Sequence, residues 1–154
     1  MSTPGCQDST IRRINVIVPI LNEESTLGEL VDRITSVMLR VDYESYEILL
    51  IDDGSTDGSW RSVEALSKVV PNVTGYRLGR NFGKATALAV GTVMATGSIV
   101  VTLDADLQDD PSEIPRLLSK LDEGFDLVSG WKKDRKDPLT KRSPPSCSTS
   151  PCAS

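Results

Sequence analysis

Residues 46–70 read YEILLIDDGSTDGSWRSVEALSKVV. The first part, YEILLID (46–52), is an apolar run of strand length that stops at two aspartates. DDGSTDGS is rich in turn formers, and behind it Trp60, Val63, Leu66 and Val70 recur at helical spacing. A buried strand followed at once by an amphipathic helix is half of a parallel-sheet unit, because parallel neighbours need a crossover connection. The same unit recurs on either side. Upstream, INVIVPI (14–20) predicts a strand, and Leu27, Leu30, Val31, Ile34, Val37 and Met38 form one face of a helix in LGELVDRITSVM. Downstream, NVTGYRL (72–78) predicts a third strand, KATALAVGTVMA a small-residue helix, SIVVTLD (98–104) a fourth strand, PSEIPRLLSKL a helix and FDLVSG (125–130) a fifth strand. This alternation predicts an α/β fold, a mostly parallel sheet with helices on both faces.

Ligands of such sheets bind outside the carboxyl ends of the strands. Three loops belong there: PILNEES after strand one, DDGSTDGS after strand two and DADLQDDP after strand four. In LDADLQDDP (103–111), Asp104 ends a buried strand and Asp106 and Gln108 follow at alternate positions, so their oxygens can converge. Hard divalent cations take a few such oxygens and leave the remaining positions to water or phosphate. A solvated turn capping the next helix, with Asp110 before Pro111, accounts for Asp109 and Asp110 but not for Asp104 and Asp106.

Asp52 and Asp53 stand where a ribose or base edge would lie and can accept hydrogen bonds from hydroxyl and N–H groups. Gly54, Ser55, Thr56 and Asp57 read as turn and N-cap chemistry. In VPILNEES, Pro19 closes the strand, and Asn22, Glu23 and Glu24 taken alone read as a cap for the first helix. LGRNFGKAT approaches a phosphate-binding P-loop, but Gly79 and Gly83 stand too close together and Ala85 replaces the required Ser or Thr. Arg80 and Lys84 are then either phosphate contacts at a helix start or, the simpler account, solvated basic residues. GWKKDRKDPLTKR (130–142) is the main basic cluster, read equally as counter-charge for phosphates or as a solvated linker.

Composition narrows the chemistry. A chain of 154 residues suits one domain, and 17 Lys and Arg against 22 Asp and Glu, a net charge of −5, argue against a nucleic-acid binder that works through bulk positive charge. The absence of histidine removes Ser-His-Asp and Cys-His catalysis, histidine-ligated zinc and imidazole acid-base chemistry together. Cys6, Cys147 and Cys152 lie in the two tails without CxxC spacing, so a reducing cytoplasm is expected. Residues 1–13 read as a disordered lead-in, 14–131 as the domain, and 132–154 as a basic and then Ser/Pro/Cys-rich tail. The uncharged run 85–103 has membrane-spanning length. Its Thr86, Gly91, Thr92, Thr96, Gly97, Ser98 and Thr102 are too polar for a span, and ATGS divides it into a helix-like and a strand-like half.

VPILNEES, IDDGSTDGS, RNFGKATALAVGTVMATG, LDADLQDDPSEIP and SGWKKDRKDPLTKR occur in this order over residues 14–142. As an ordered set they resemble the nucleotide-binding half of a family 2 glycosyltransferase of the Rossmann-like GT-A fold. The branch in question is similar to dolichyl-phosphate mannose synthase and bacterial polyprenyl-phosphate glycosyltransferases. The resemblance implies inverting transfer of a hexose from a UDP- or GDP-sugar donor to a polyprenyl-phosphate acceptor. It implies that Asp106 and Gln108 hold Mg²⁺ or Mn²⁺ on the donor diphosphate, with Asp104 beside the ribose or sugar. Pro19, Asn22, Glu23, Asp52 and Asp53 would line the nucleoside pocket, and Lys132, Arg135 and Arg142 would meet donor and acceptor phosphates. Asp104, Asp106, Arg135 and Arg142 carry the catalytic roles in this reading. Lys132 stands where the family often has Arg, which gives up a bidentate fork.

The expected location is the cytoplasmic face of a membrane, with membrane contact made by a full-length protein. SPPSCSTSPCAS departs from the family pattern and reads as a frameshifted or mispredicted end to a longer gene, which sequencing of the coding DNA tests. Two alternatives stand beside transfer. One is a truncated, inactive nucleotide-sugar-binding module. The other is a haloacid-dehalogenase-type phosphatase with Asp104 as nucleophile, disfavoured by Gln108 where Thr or Val is wanted.

Overall fold

The computed structural model describes residues 13–130. Lys132, Arg135, Arg142, the 132–154 tail and the lead-in before Arg13 lie outside the described residues. In chain order the elements are β1 (Arg13–Ile20), α1 (Leu27–Met38), β2 (Ser45–Asp52), α2 (Ser59–Val69), β3 (Val73–Arg77), α3 (Lys84–Met94), β4 (Ile99–Thr102), a 3₁₀ turn (Pro111–Glu113) and α4 (Ile114–Asp122).

The strands form one sheet in the order β3-β2-β1-β4, and every pairing is parallel. Ile20 pairs with Asp52 on one side of β1, and Ile17 with Thr102 on the other. The chain therefore builds outward from β1 to β3, then crosses back to place β4 against the free edge of β1. That reversal opens a crevice at the carboxyl ends of β1 and β4.

Alternation along β1 and β2 assigns the two layers. Val16, Val18, Ile48 and Leu50 pack with Leu30 and Ile34 of α1, Val63 of α2, and Ile114 and Leu118 of α4. Ile17, Leu49 and Ile51 face the opposite way, against Ala87 of α3. Helices thus cover both faces, as expected. The small residues of α3 have a steric reason, since a Cβ on Gly91 would lie 2.4 Å from Ile17 Cγ2. The uncharged run divides as its sequence suggests, with α3 ending at Met94 and β4 starting at Ile99. Among the described residues no helix is long and apolar enough to cross a membrane.

One element departs from expectation: FDLVSG makes no strand. Residues 125–130 carry no regular structure, and Phe125 and Leu127 are 57% and 86% exposed. A strand exists only through the ladder it shares with a neighbour, and apolar β-formers in one segment do not supply that partner.

Candidate functional site

A cavity of about 460 Å³ lies at the crevice. Its wall is built from the end of β1 and the loop after it (Pro19, Glu23), the residue after β2 (Asp53), the N-cap and first residue of α3 (Gly83, Lys84) and the residues after β4 (Asp104, Asp106). Loops far apart in sequence meet here because their strands are parallel neighbours.

The turn after β2 is held from inside. Asp52 is fully buried; Oδ1 accepts the Ser55 N–H at 3.0 Å, and Arg77 Nε lies 3.2 Å from Oδ2. Oδ2 receives no directed hydrogen bond, so the guanidinium acts on it through charge. Arg77 in turn lies over the Trp60 ring, 5.6 Å from its centroid. Asp53, 2% exposed, accepts the N–H groups of Phe82 and Gly83 at 2.8 Å each and so clamps the start of α3. Gly54 has φ +74°, and a Cβ there would lie 2.5 Å from the Arg80 carbonyl carbon, so the 79–83 loop approaches where only glycine fits.

The β1–α1 loop is tied to the same turn. Asn22, at φ 58°, accepts the Thr56 N–H at 2.9 Å through Oδ1, and its own N–H donates to Ser55 Oγ at 3.0 Å. The helix-cap reading of Asn22 is therefore corrected: Thr26 holds the N-cap of α1, and Asn22 joins two loops that the parallel register brings side by side. The Glu23 N–H donates to Ser59 Oγ, and Glu24 accepts the Gly58 N–H at 3.1 Å. Asp57 takes the Ser59 hydroxyl at 2.6 Å, and that bond holds its carboxyl below the ordinary range. Gly54, Ser55, Thr56 and Asp57 are structural, as the sequence suggests.

After β4 the acidic residues divide their work. Asp104 Oδ1 is ion-paired with Lys84 Nζ, and the Asp104 N–H donates to Asp109 Oδ2 at 3.0 Å. Asp109 closes the loop instead of capping the helix. Asp110 does cap, accepting the Ser112 N–H at 3.0 Å, which lowers its pKa. Leu107 sits at φ 59°, a left-handed conformation costing a leucine about 1–2 kcal/mol. It bends the loop so that Asp106 Oδ1 accepts the Gln108 N–H at 3.0 Å, leaving the exposed Asp106 carboxylate on the cavity wall.

Of the residues singled out by sequence, Pro19, Glu23, Asp53, Asp104 and Asp106 share the cavity wall. Asn22, Asp52 and Gln108 stand behind or beside it. Lys84, more simply a solvated residue on sequence grounds, is on the wall and paired with Asp104. Its signal was the basic residue at a helix start, which has no force until the fold sets that start beside β4. Among the described residues, no group of three or more Cys, Asp or Glu side chains could hold a metal ion unaided. The donors present are hard oxygens, which suit Mg²⁺ or Mn²⁺ provided that a ligand or water supplies further oxygens.

Residues 15–151 match the sequence profile of glycosyl transferase family 2. The chain belongs to that family. This family 2 chain is 40% identical over 134 residues to the undecaprenyl-phosphate 4-deoxy-4-formamido-L-arabinose transferase of Salmonella choleraesuis (strain SC-B67), covering 86% of itself and 41% of that protein. It is also similar to a mannosyltransferase of Pyrobaculum calidifontis in complex with GDP-Man and Mn²⁺, at 33% identity and TM-score 0.55 over 64% of this chain and 28% of that one. A third relative is glucosyl-3-phosphoglycerate synthase of Mycobacterium tuberculosis with Mn²⁺, UDP and glucosyl-3-phosphoglycerate, at 29% identity and TM-score 0.56 over 71% and 39% of the two chains. The family 2 chain thus spans well under half the length of these relatives, and its fold is the GT-A fold. Membership in the family sets the phosphatase alternative aside.

Proposed function

We propose that this chain is the donor-binding part of a metal-dependent, inverting glycosyltransferase. It would take a hexose from a UDP- or GDP-sugar and deliver it to a polyprenyl or dolichyl phosphate at the cytoplasmic face of a membrane. The observation that carries the reading is the cavity at the strand-order reversal, walled by Asp104, Asp106 and Lys84. The relatives' names support it: one acts with undecaprenyl phosphate, another is bound to GDP-Man and Mn²⁺, and a third to UDP and Mn²⁺.

Pro19 and Glu23 line the nucleoside side, while Asn22, Asp52 and Asp53 hold the loops that shape it. Asp106, with Gln108 two residues on, holds Mg²⁺ or Mn²⁺, and Asp104 lies beside the ribose or sugar. The divalent ion, when bound, neutralises charge growing on the departing nucleoside diphosphate. Lys132, Arg135 and Arg142 add positive charge for donor and acceptor phosphates. A lipid phosphate is already an anion at neutral pH, so no histidine or other general base is required.

The test is calorimetric titration of the chain with UDP-glucose and GDP-mannose, with Mn²⁺ or EDTA, beside Asp106→Ala. Metal-dependent binding that is lost in the variant is expected, and the preferred donor names the base. Folded protein that binds neither donor would overturn the reading. Donor binding without transfer to a polyprenyl phosphate would favour the binding-module alternative.

A further inference from the structure

Among the described residues, Lys84 is the one cation on a cavity wall that also carries Glu23, Asp53, Asp104 and Asp106. Its ammonium is on Asp104 Oδ1. The root of the side chain is fixed, because Asp53 clamps the backbone of Phe82 and Gly83 immediately before it. The tip is not fixed in the same way: the side chain is 58% exposed, and that of Asp104 is 31% exposed. A lysine is a point charge on a flexible four-carbon stem, so its ammonium can leave one anion for another without moving the backbone. Its position on the first residue of α3 adds the positive end of the helix dipole on the same side of the cavity.

We propose that Lys84 is an exchangeable counter-ion that couples metal binding to nucleotide binding. Paired with Asp104, its ammonium neutralises that carboxylate and opposes a divalent cation beside it. When a nucleoside diphosphate enters, the ammonium moves to a phosphate oxygen, and the charge of Asp104 then adds to the attraction for the metal that Asp106 and Gln108 hold. The two ligands then strengthen each other's binding by the same factor, as linkage requires. The inference rests on the donor-site reading and adds a direction: nucleotide raises metal affinity through Lys84.

The experiment measures free Mn²⁺ by electron paramagnetic resonance as it is titrated into the 154-residue chain, alone and with saturating UDP or GDP, for wild type, Lys84→Met and Lys84→Arg. Methionine keeps the length, removes the charge and adds no oxygen ligand. An exposed ion pair of this kind is worth up to about 1 kcal/mol, so Lys84→Met should bind Mn²⁺ alone about two- to fivefold more tightly. Nucleotide affinity measured in EDTA should fall about tenfold with the lost charge-assisted contact, and the metal-nucleotide coupling should shrink. Lys84→Arg should retain the coupling. Mn²⁺ affinity that is unchanged or weaker in Lys84→Met, while wild type binds both ligands, would overturn the role of Lys84 alone. A wild-type chain that melts cooperatively but binds neither Mn²⁺ nor nucleotide would overturn the donor-site reading and this inference with it.

Discussion

Asp53 and Gly83 meet at the wall of the cavity: Asp53 Oδ2 accepts the Gly83 N–H at 2.8 Å, while Oδ1 accepts the Phe82 N–H at the same distance. A carboxylate with both oxygens engaged this way positions the start of α3. Replacing Asp53 with Ala takes the acceptor from the Phe82 N–H and leaves the Gly83 N–H with Asn81 Oδ1 alone, a loss of about 1–3 kcal/mol. Asn keeps one acceptor and should cost about half as much. Urea unfolding of the two variants checks the order, and equal midpoints would refute it.

Gly54 and Gly79 flank the same approach but differ in space. A Cβ on Gly54 would meet Arg80 and Asn81 backbone at 2.5 and 2.6 Å, whereas one on Gly79 meets nothing within 4 Å. Gly54→Ala should destabilise by about 2–4 kcal/mol, combining left-handed strain with overpacking. Gly79→Ala should stay within about 0.5 kcal/mol of wild type. Thermal melts of the pair measure the contrast.

The Asp52–Arg77 pair joins a fully buried carboxylate to a half-exposed guanidinium. Arg77→Ala strands the charge, and solvent reaching the arginine side tempers the penalty to about 1–3 kcal/mol. Asp52→Asn should relieve much of it, so the double variant loses less than the sum of the singles. A strictly additive double-mutant cycle would remove the coupling.

Acid should loosen the loops beside the cavity. Asp57 is held below its ordinary value of 3.8, chiefly by the Ser59 hydroxyl, and Asp110 below the same value, chiefly by the Ser112 N–H. A depressed folded pKa contributes stability that is complete above the ordinary value and is lost as pH falls through the folded one. Unfolding free energy should therefore be flat in these two groups near neutrality and decline below about pH 4. Asp57→Asn should flatten part of that acid limb, and an unchanged slope would exclude Asp57 as a contributor.

α1 was legible because Leu27, Leu30, Val31, Ile34 and Met38 repeat at the period of a helix, and all are buried. FDLVSG has strand-forming residues but no strand, because a strand needs a partner that no local pattern reveals. Asp52 and Asp53 are adjacent in sequence, yet one points to Arg77 of β3 and the other to the start of α3. Successive side chains on an extended chain take opposite sides, so the pair had to separate, but which carboxylate would face the cavity depended on the neighbouring strands.

The sequence by itself determined the alternation of strands and helices and the acidic loops at the strand ends, because periodicity and turn chemistry act over a few residues. It also carried the ordered motifs of the family. Tertiary structure alone decided that β4 returns beside β1, that Lys84 meets Asp104 and that Asn22 joins two loops. Those relationships depend on strand order, which is set by how the two apolar layers pack over the whole sheet, and no short segment contains that information.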